Sequence, residues 1–140
     1  MLNRKMTDIV RNRRPVTLPA TATVQQACVL MRDHAIGAIL VTSLGGGLLG
    51  IFTGRDAVRL LADGRNAAQT RLDAVMTRGP ATITPAHSAM DALRLMQDGG
   101  FRHLPVVDSE GALVGIASQG DFRAFEHARL DEETGYWERI

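Results

Sequence analysis

Shifted by 65 residues against itself, the sequence aligns positions 8–58 with 73–123 without a gap, and 15 of those 51 positions are identical. Chance matching at average composition would give about three. The identities include Asp8/Asp73, Pro15/Pro80, Thr17/Thr82, Ala27/Ala92, Met31/Met96, Asp33/Asp98, Val41/Val106, Gly50/Gly115 and Asp56/Asp121. A chain written twice has few options. Each copy must form the same small set of elements, and the apolar face that one copy cannot cover alone must be covered by the other.

The order of elements follows from pattern. A short helical turn ("TDIVRN", then "RLDAVMT") leads into an extended piece that starts at proline, "PVTL" or "PATIT". A helix then opens at Thr23 or Ser88, with Gln26 and Asp91 three residues on at capping-box spacing. Val24, Ala27, Cys28, Met31 and Ala35 recur at helical intervals, as do Ala89, Ala92, Leu93 and Met96, so each helix presents a stripe to bury. Two strands follow in each copy, "AILVT" and "LLGIF", then "HLPVV" and "LVGIAS", joined through glycine as hairpins. A closing helix is expected from about Asp56 to Ala62 and from about Asp121 to Leu130. The expected fold is α+β: two β-α-β-β-α motifs related by a pseudo-twofold axis, sheets packed face to face and helices outside. The boundaries are 6–65 for the first motif and 71–130 for the second, with a tail over 131–140, all within one module spanning 1–140.

Composition excludes several classes. At 140 residues the chain can bury one core, and 45% hydrophobic with 22% charged residues is ordinary for a globular protein. A net charge of +1 gives no general attraction to nucleic acid or to an anionic membrane. The longest apolar run, "AIGAILV", is too short to span a bilayer, and the N-terminus lacks a signal-peptide core. The single cysteine, Cys28, has no internal disulfide partner. A cytoplasmic protein is the expectation.

The phrases "GIFTGRD" and "GIASQGD", which end the third strand of each copy, together with "RHLPVVD" in the second copy, resemble the CBS (cystathionine-β-synthase) domain family. Two such motifs in tandem resemble a Bateman module. The resemblance implies a regulatory module without catalytic activity and without a required cofactor. It senses adenine nucleotides (AMP, ADP or ATP) in clefts between the motifs and signals to a separate protein partner. It also implies a homodimer formed through helices, including those starting near Thr23 and Ser88. S-adenosylmethionine or NAD are alternative ligands, and a purely structural interaction module with vestigial clefts is a further alternative.

Read from the residues alone, Thr53-x-x-Asp56 and Ser118-x-x-Asp121 are helix starts, in which a hydroxyl caps the first turn and a carboxylate complements the helix dipole. The resemblance implies that the same residues face the clefts and hold ribose and phosphate. It places Val16, Ile36, Gly37 and Ile116 beside Ser118 and Asp121, with Arg102 and His103 meeting phosphates there. It places Ile51, Ala81 and Phe101 beside Thr53 and Asp56, with Arg55 as the local cation. The Asp121 cleft is therefore expected to bind more strongly. The resemblance also implies a place for Arg11 at a cleft mouth, within a basic run (residues 11–14) that otherwise reads as a solvated face.

Other features carry less. The four histidines, His34, His87, His103 and His127, lack metal-ligand spacing. "LGGGLLG" lacks the Lys-Ser/Thr ending of a phosphate loop and reads as a hairpin turn. Tyr136 and Trp137 suggest that the tail docks, either on its own chain or across a dimer.

Overall fold

The computed structural model describes residues 5–10 and 14–122. The body of the expected second closing helix (123–130), His127, Arg11 and the tail with Tyr136 and Trp137 lie outside the described residues.

A single helical turn, α1 (Met6–Ile9), precedes the first copy, which runs β1 (Thr17–Pro19), α2 (Val24–His34), β2 (Ala38–Thr42), β3 (Leu48–Thr53) and α3 (Gly54–Ala62). The second copy follows a 3₁₀ turn (Leu72–Ala74) and β4 (Thr77–Arg78). It runs α4 (Ala89–Gly99), β5 (His103–Val107), β6 (Leu113–Ser118) and a 3₁₀ turn at Gln119–Phe122. Both long helices begin with the expected reciprocal caps. Thr23 Oγ1 accepts from the Gln26 N–H (3.2 Å) while Gln26 Oε1 accepts from the Thr23 N–H (2.9 Å). The Ser88/Asp91 pair does the same at 3.1 and 3.0 Å. Each helix ends on a left-handed residue, Ala35 (φ +53°) and Gly100 (φ +71°), which turns the chain sharply into the next strand.

The first sheet has the order β1-β2-β3-β4, with β1 parallel to β2 and the rest antiparallel. The second sheet is the β5-β6 hairpin. One expectation changes here. The extended piece "PATIT" pairs only through Ile83, in a single parallel bridge to Val106. It is shorter than β1 because Pro105 stands where Leu40 donates its N–H to Val16 O (3.2 Å) in the first copy, and proline has no N–H to give.

The two copies obey a pseudo-twofold axis. Gly47 bridges Ala112, the residue 65 positions on, so this position pairs with its own counterpart as an axis requires. Between the sheets lies a shared apolar layer of Ala38, Leu40 and Ile51 from the first copy, joined by Leu113 and Ile116 from the second. The sheets therefore pack face to face.

The lead-in segments are exchanged between copies. Met6 and Thr7 donate their N–H groups to His87 O (2.8 Å) and Pro85 O (3.2 Å) of the second copy. Leu72 and Asp73 donate theirs to Ala22 O (2.8 Å) and Ala20 O (3.1 Å) of the first. Met6, Ile9 and Val10 accordingly join the core of copy two with Ile83, Met96, Leu104 and Phe122, and Leu72 and Met76 join the core of copy one with Val24, Met31, Val41 and Phe52. These bonds correct the ungapped alignment. Met6 corresponds to Leu72 and Thr7 to Asp73, one residue off the 65-residue register, so Asp8 and Asp73 are not equivalent positions. The extra residue of copy one falls between Val10 and Pro15.

This exchange explains the glycine in each repeated phrase. A Cβ on Gly50 would lie 2.7 Å from both Met76 Sδ and the Thr77 carbonyl oxygen, and one on Gly115 would lie 2.8 Å from Val10 Cβ. Each lead-in packs directly on the backbone of the strand it covers. Gly50→Ala should therefore lower stability by about 1–3 kcal/mol through forced overpacking. Gly45→Ala, where a Cβ meets nothing within 4 Å, should change it by less than about 0.5 kcal/mol. Equal urea midpoints for the two variants would refute the close-packing explanation.

Candidate ligand clefts

Antiparallel pairing sets strand starts beside strand ends, with Ala38 opposite Thr53 and His103 opposite Ser118. The next step is also duplicated: the Gly54 N–H donates to Gly37 O (3.2 Å) and the Gln119 N–H to Arg102 O (2.9 Å). These bonds turn the chain from strand into helix and bring the hydroxyl–carboxylate pair to the opening. Asp56 Oδ2 accepts from the Thr53 N–H (2.9 Å) and hydroxyl (3.2 Å). Asp121 Oδ2 accepts from the Ser118 N–H (2.7 Å) and hydroxyl (3.3 Å). The capping reading of both phrases is thus realised in bonds. In each carboxylate these bonds fall on Oδ2 and fix the pair at the cavity opening.

Two cavities open at these points. The larger, about 520 Å³, takes Ile51, Thr53, Arg55 and Asp56 from the first copy and Ala81, Phe101, Arg102 and His103 from the second. The smaller, about 450 Å³, takes Ile116, Ser118, Asp121 and His103 from the second copy and Val16, Ile36 and Gly37 from the first. These linings bring together the residues grouped with Asp56 and with Asp121 from the sequence, with one exception. Arg102 lines the Asp56 cleft and not the Asp121 cleft. The reason is the axis: the carboxylate wall comes from one copy and the facing wall from the other, so Arg102 follows its neighbour Phe101. The crossing that places Ala81 and Phe101 opposite Asp56 carries Arg102 with them. His103 and Gly37 border both cavities, and a Cβ on Gly37 would approach His103 Nε2 to 3.2 Å, so these two residues form a common partition.

Sequence reading missed Arg59 in the larger cavity and Arg14 in the smaller. Arg59 was findable: it stands four residues after Arg55 on α3 and so shares its helix face. Phe101 packs against the α4 terminus, where a side chain on Gly99 would overlap its ring.

Charge is unequal between the clefts. Three arginines (Arg55, Arg59, Arg102) face one carboxylate in the larger cavity, whereas Arg14 is the described arginine of the smaller. Burial holds the His103 imidazole below the ordinary histidine pKa, with Asp121 opposing and Arg102 adding to the depression. Cys28 is half-buried in the copy-one core, lines neither cavity, and has its thiol pKa raised by burial. Among the described residues no group of three or more His, Cys, Asp or Glu side chains is placed to hold a metal. Nor, among them, is any helix long and apolar enough to cross a membrane.

Duplicated α+β units, axially related and enclosing clefts whose walls come from both halves, define a tandem two-motif module. The particular family follows from comparison: the CBS domain profile matches residues 6–63 and 72–127, so the chain belongs to the CBS domain family as a tandem pair. It is 40% identical over 101 residues to the CBS domain-containing protein CBSCBSPB3 of Arabidopsis thaliana, covering 71% of this chain and 18% of that protein. The chain thus spans less than a fifth of that relative. Among solved structures, it resembles a CBS domain protein from Pyrobaculum aerophilum complexed with AMP (TM-score 0.82, 25% identity), covering 91% of this chain and 96% of that one. It also resembles a putative signal-transduction protein with CBS domains from Burkholderia ambifaria (TM-score 0.77, 32% identity), covering 84% and 89%.

The depressed His103 pKa has a signed consequence. The unfolded chain, with a histidine pKa near about 6.5, binds this proton more readily than the folded one. The contribution of neutral His103 is therefore complete above that pH and is lost as pH falls through the unfolded value toward the folded one. In urea unfolding between about pH 7.5 and 5.5, His103→Gln should lose less stability on acidification than the parent. Parallel losses would show that burial of His103 does not affect its protonation.

Proposed function

We propose that this chain is a ligand-sensing regulatory module, not a catalyst, that binds adenine nucleotides (AMP, ADP or ATP) in its two clefts and reports occupancy to a separate partner. The observation that carries the reading is the duplicated hydroxyl–carboxylate pair, Thr53/Asp56 and Ser118/Asp121, which each strand-to-helix turn places on a cavity wall, the chemistry a ribose diol calls for. The AMP complex of the P. aerophilum relative supports the same ligand class. Because each cleft has one wall from each copy, a ligand that prefers one relative placement of the copies shifts the population toward it. A metal or prosthetic group is not required, and the cytoplasm is the natural compartment for such a sensor.

The first partner is a second copy of the chain. Val58 and Leu61 on α3 are 65% and 72% exposed, and Val29 on α2 and Leu95 on α4 are partly exposed, which leaves apolar helix surface for a homodimer to cover. Sedimentation at micromolar concentration should give a dimer, and a monomer there would count against this assembly.

The ligand reading is tested by thermal shift with AMP, ADP, ATP, NAD and S-adenosylmethionine. A nucleotide at about 100 times its dissociation constant should stabilise the fold by about 2.7 kcal/mol. Its 2′-deoxy form should bind less tightly, because the carboxylate loses a hydroxyl partner. Asp56→Ala and Asp121→Ala, each compared with its own ligand-free melt, should reduce affinity about 10- to 150-fold at the affected cleft. Flat melts across the whole panel would instead identify a structural interaction module.

A further inference from the structure

The geometry points to the Thr53/Asp56 cleft as a polyanion site: it takes a nucleoside di- or triphosphate in preference to the monophosphate. This rests on the nucleotide reading above and adds the charge class of the ligand. Arg55 and Arg59 are separated by one turn on α3, so their guanidinium groups come from one helix face. Arg102 enters from the opposite copy, at the residue before β5, and lines the same cavity. Cations thus approach from both walls, and Asp56 is the one carboxylate among the residues lining that cavity.

A monophosphate can occupy only part of this arrangement. Adding a phosphate extends the ligand toward a further guanidinium, and each guanidinium can donate two parallel hydrogen bonds to phosphate oxygens. All three arginines are exposed when the cleft is empty, so they are hydrated and held apart at little cost. Their mutual repulsion, modest in water, is relieved by a ligand of charge −3 or −4 more fully than by one of −2. The preference should therefore weaken with ionic strength, since exposed charges are screened within about 8 Å at physiological salt.

Isothermal titration with adenosine, AMP, ADP and ATP, and separately with orthophosphate and tripolyphosphate, tests this on the full chain. ATP should bind the parent about 10-fold or more tighter than AMP. In Arg59→Gln/Arg102→Gln that gain should fall below about threefold, with AMP affinity changed much less. Arg94→Gln, an exposed arginine of α4 outside both cavities, should keep the full gain. Circular-dichroism melts of each variant exclude misfolding as the cause. Equal affinity for AMP and ATP, or a gain that survives in the double variant, overturns the proposal. If no adenosine compound binds but tripolyphosphate binds over orthophosphate in an Arg59/Arg102-dependent way, the nucleotide reading fails and the polyanion site stands. If tripolyphosphate is not preferred and ATP shows no gain, the polyanion site fails.

Discussion

The packing of each lead-in against the other copy is the contact on which the rest of this structure depends. Met6–Val10 completes the core of the second copy and Leu72–Met76 completes that of the first. Neither copy is then a closed unit: removing one lead-in would expose the apolar edge of its neighbour, at a cost set by buried side chains such as Met6 and Leu72, both fully buried. Gly50 and Gly115 admit the crossing chain where any side chain would push it away. The clefts form at the ends of this clamped interface. Their walls belong to different copies, so a ligand in a cleft contacts both halves of a structure already stitched together by the lead-ins.

Much of this organisation was legible in the sequence, because local signals and the duplication agreed. Helix starts at Thr23 and Ser88 were readable from caps that satisfy backbone donors within three residues, and strands such as "AILVT" from continuous apolar runs. What escaped was information that lives between the copies. The one-residue slip of the lead-ins is invisible to an alignment scored on identity, since Asp8/Asp73 matches equally well whether or not the two residues make equivalent hydrogen bonds. The family resemblance put Arg102 with Asp121, whereas it lines the Asp56 cleft, because cleft membership is decided across the axis. The lost strand at "PATIT" turns on Pro105, which cannot make the bond that Leu40 gives to Val16 O in the first copy.

Duplication also lets one backbone carry two chemistries. At the equivalent positions 37 and 102 the chain places glycine and arginine, at 38 and 103 alanine and histidine, and at 55 and 120 arginine and glycine. None of these pairs disturbs the shared hydrogen-bond scaffold: the Gly54 N–H reaches Gly37 O as the Gln119 N–H reaches Arg102 O, through backbone atoms alone. The side chains are thereby freed from a structural duty that the backbone discharges. That separation is what allows the larger cleft to accumulate arginines while the smaller one stays apolar around Val16, Ile36 and Ile116.

The carboxylates are the exception, because Asp56 and Asp121 are retained in both copies and serve the scaffold directly. An aspartate that caps a strand-to-helix turn is held in place by its Oδ2 bonds, with little conformational freedom left to lose when a ligand arrives. Preorganisation of this kind makes the cap an aid to recognition and not a competitor of it. It also explains why the residues alone could not separate the two readings of Thr-x-x-Asp and Ser-x-x-Asp. A helix start that opens into a cleft uses the same side chain, in the same conformation, for both tasks, and only its position on a cavity wall distinguishes it from an ordinary cap such as Ser88–Asp91, which borders neither cavity.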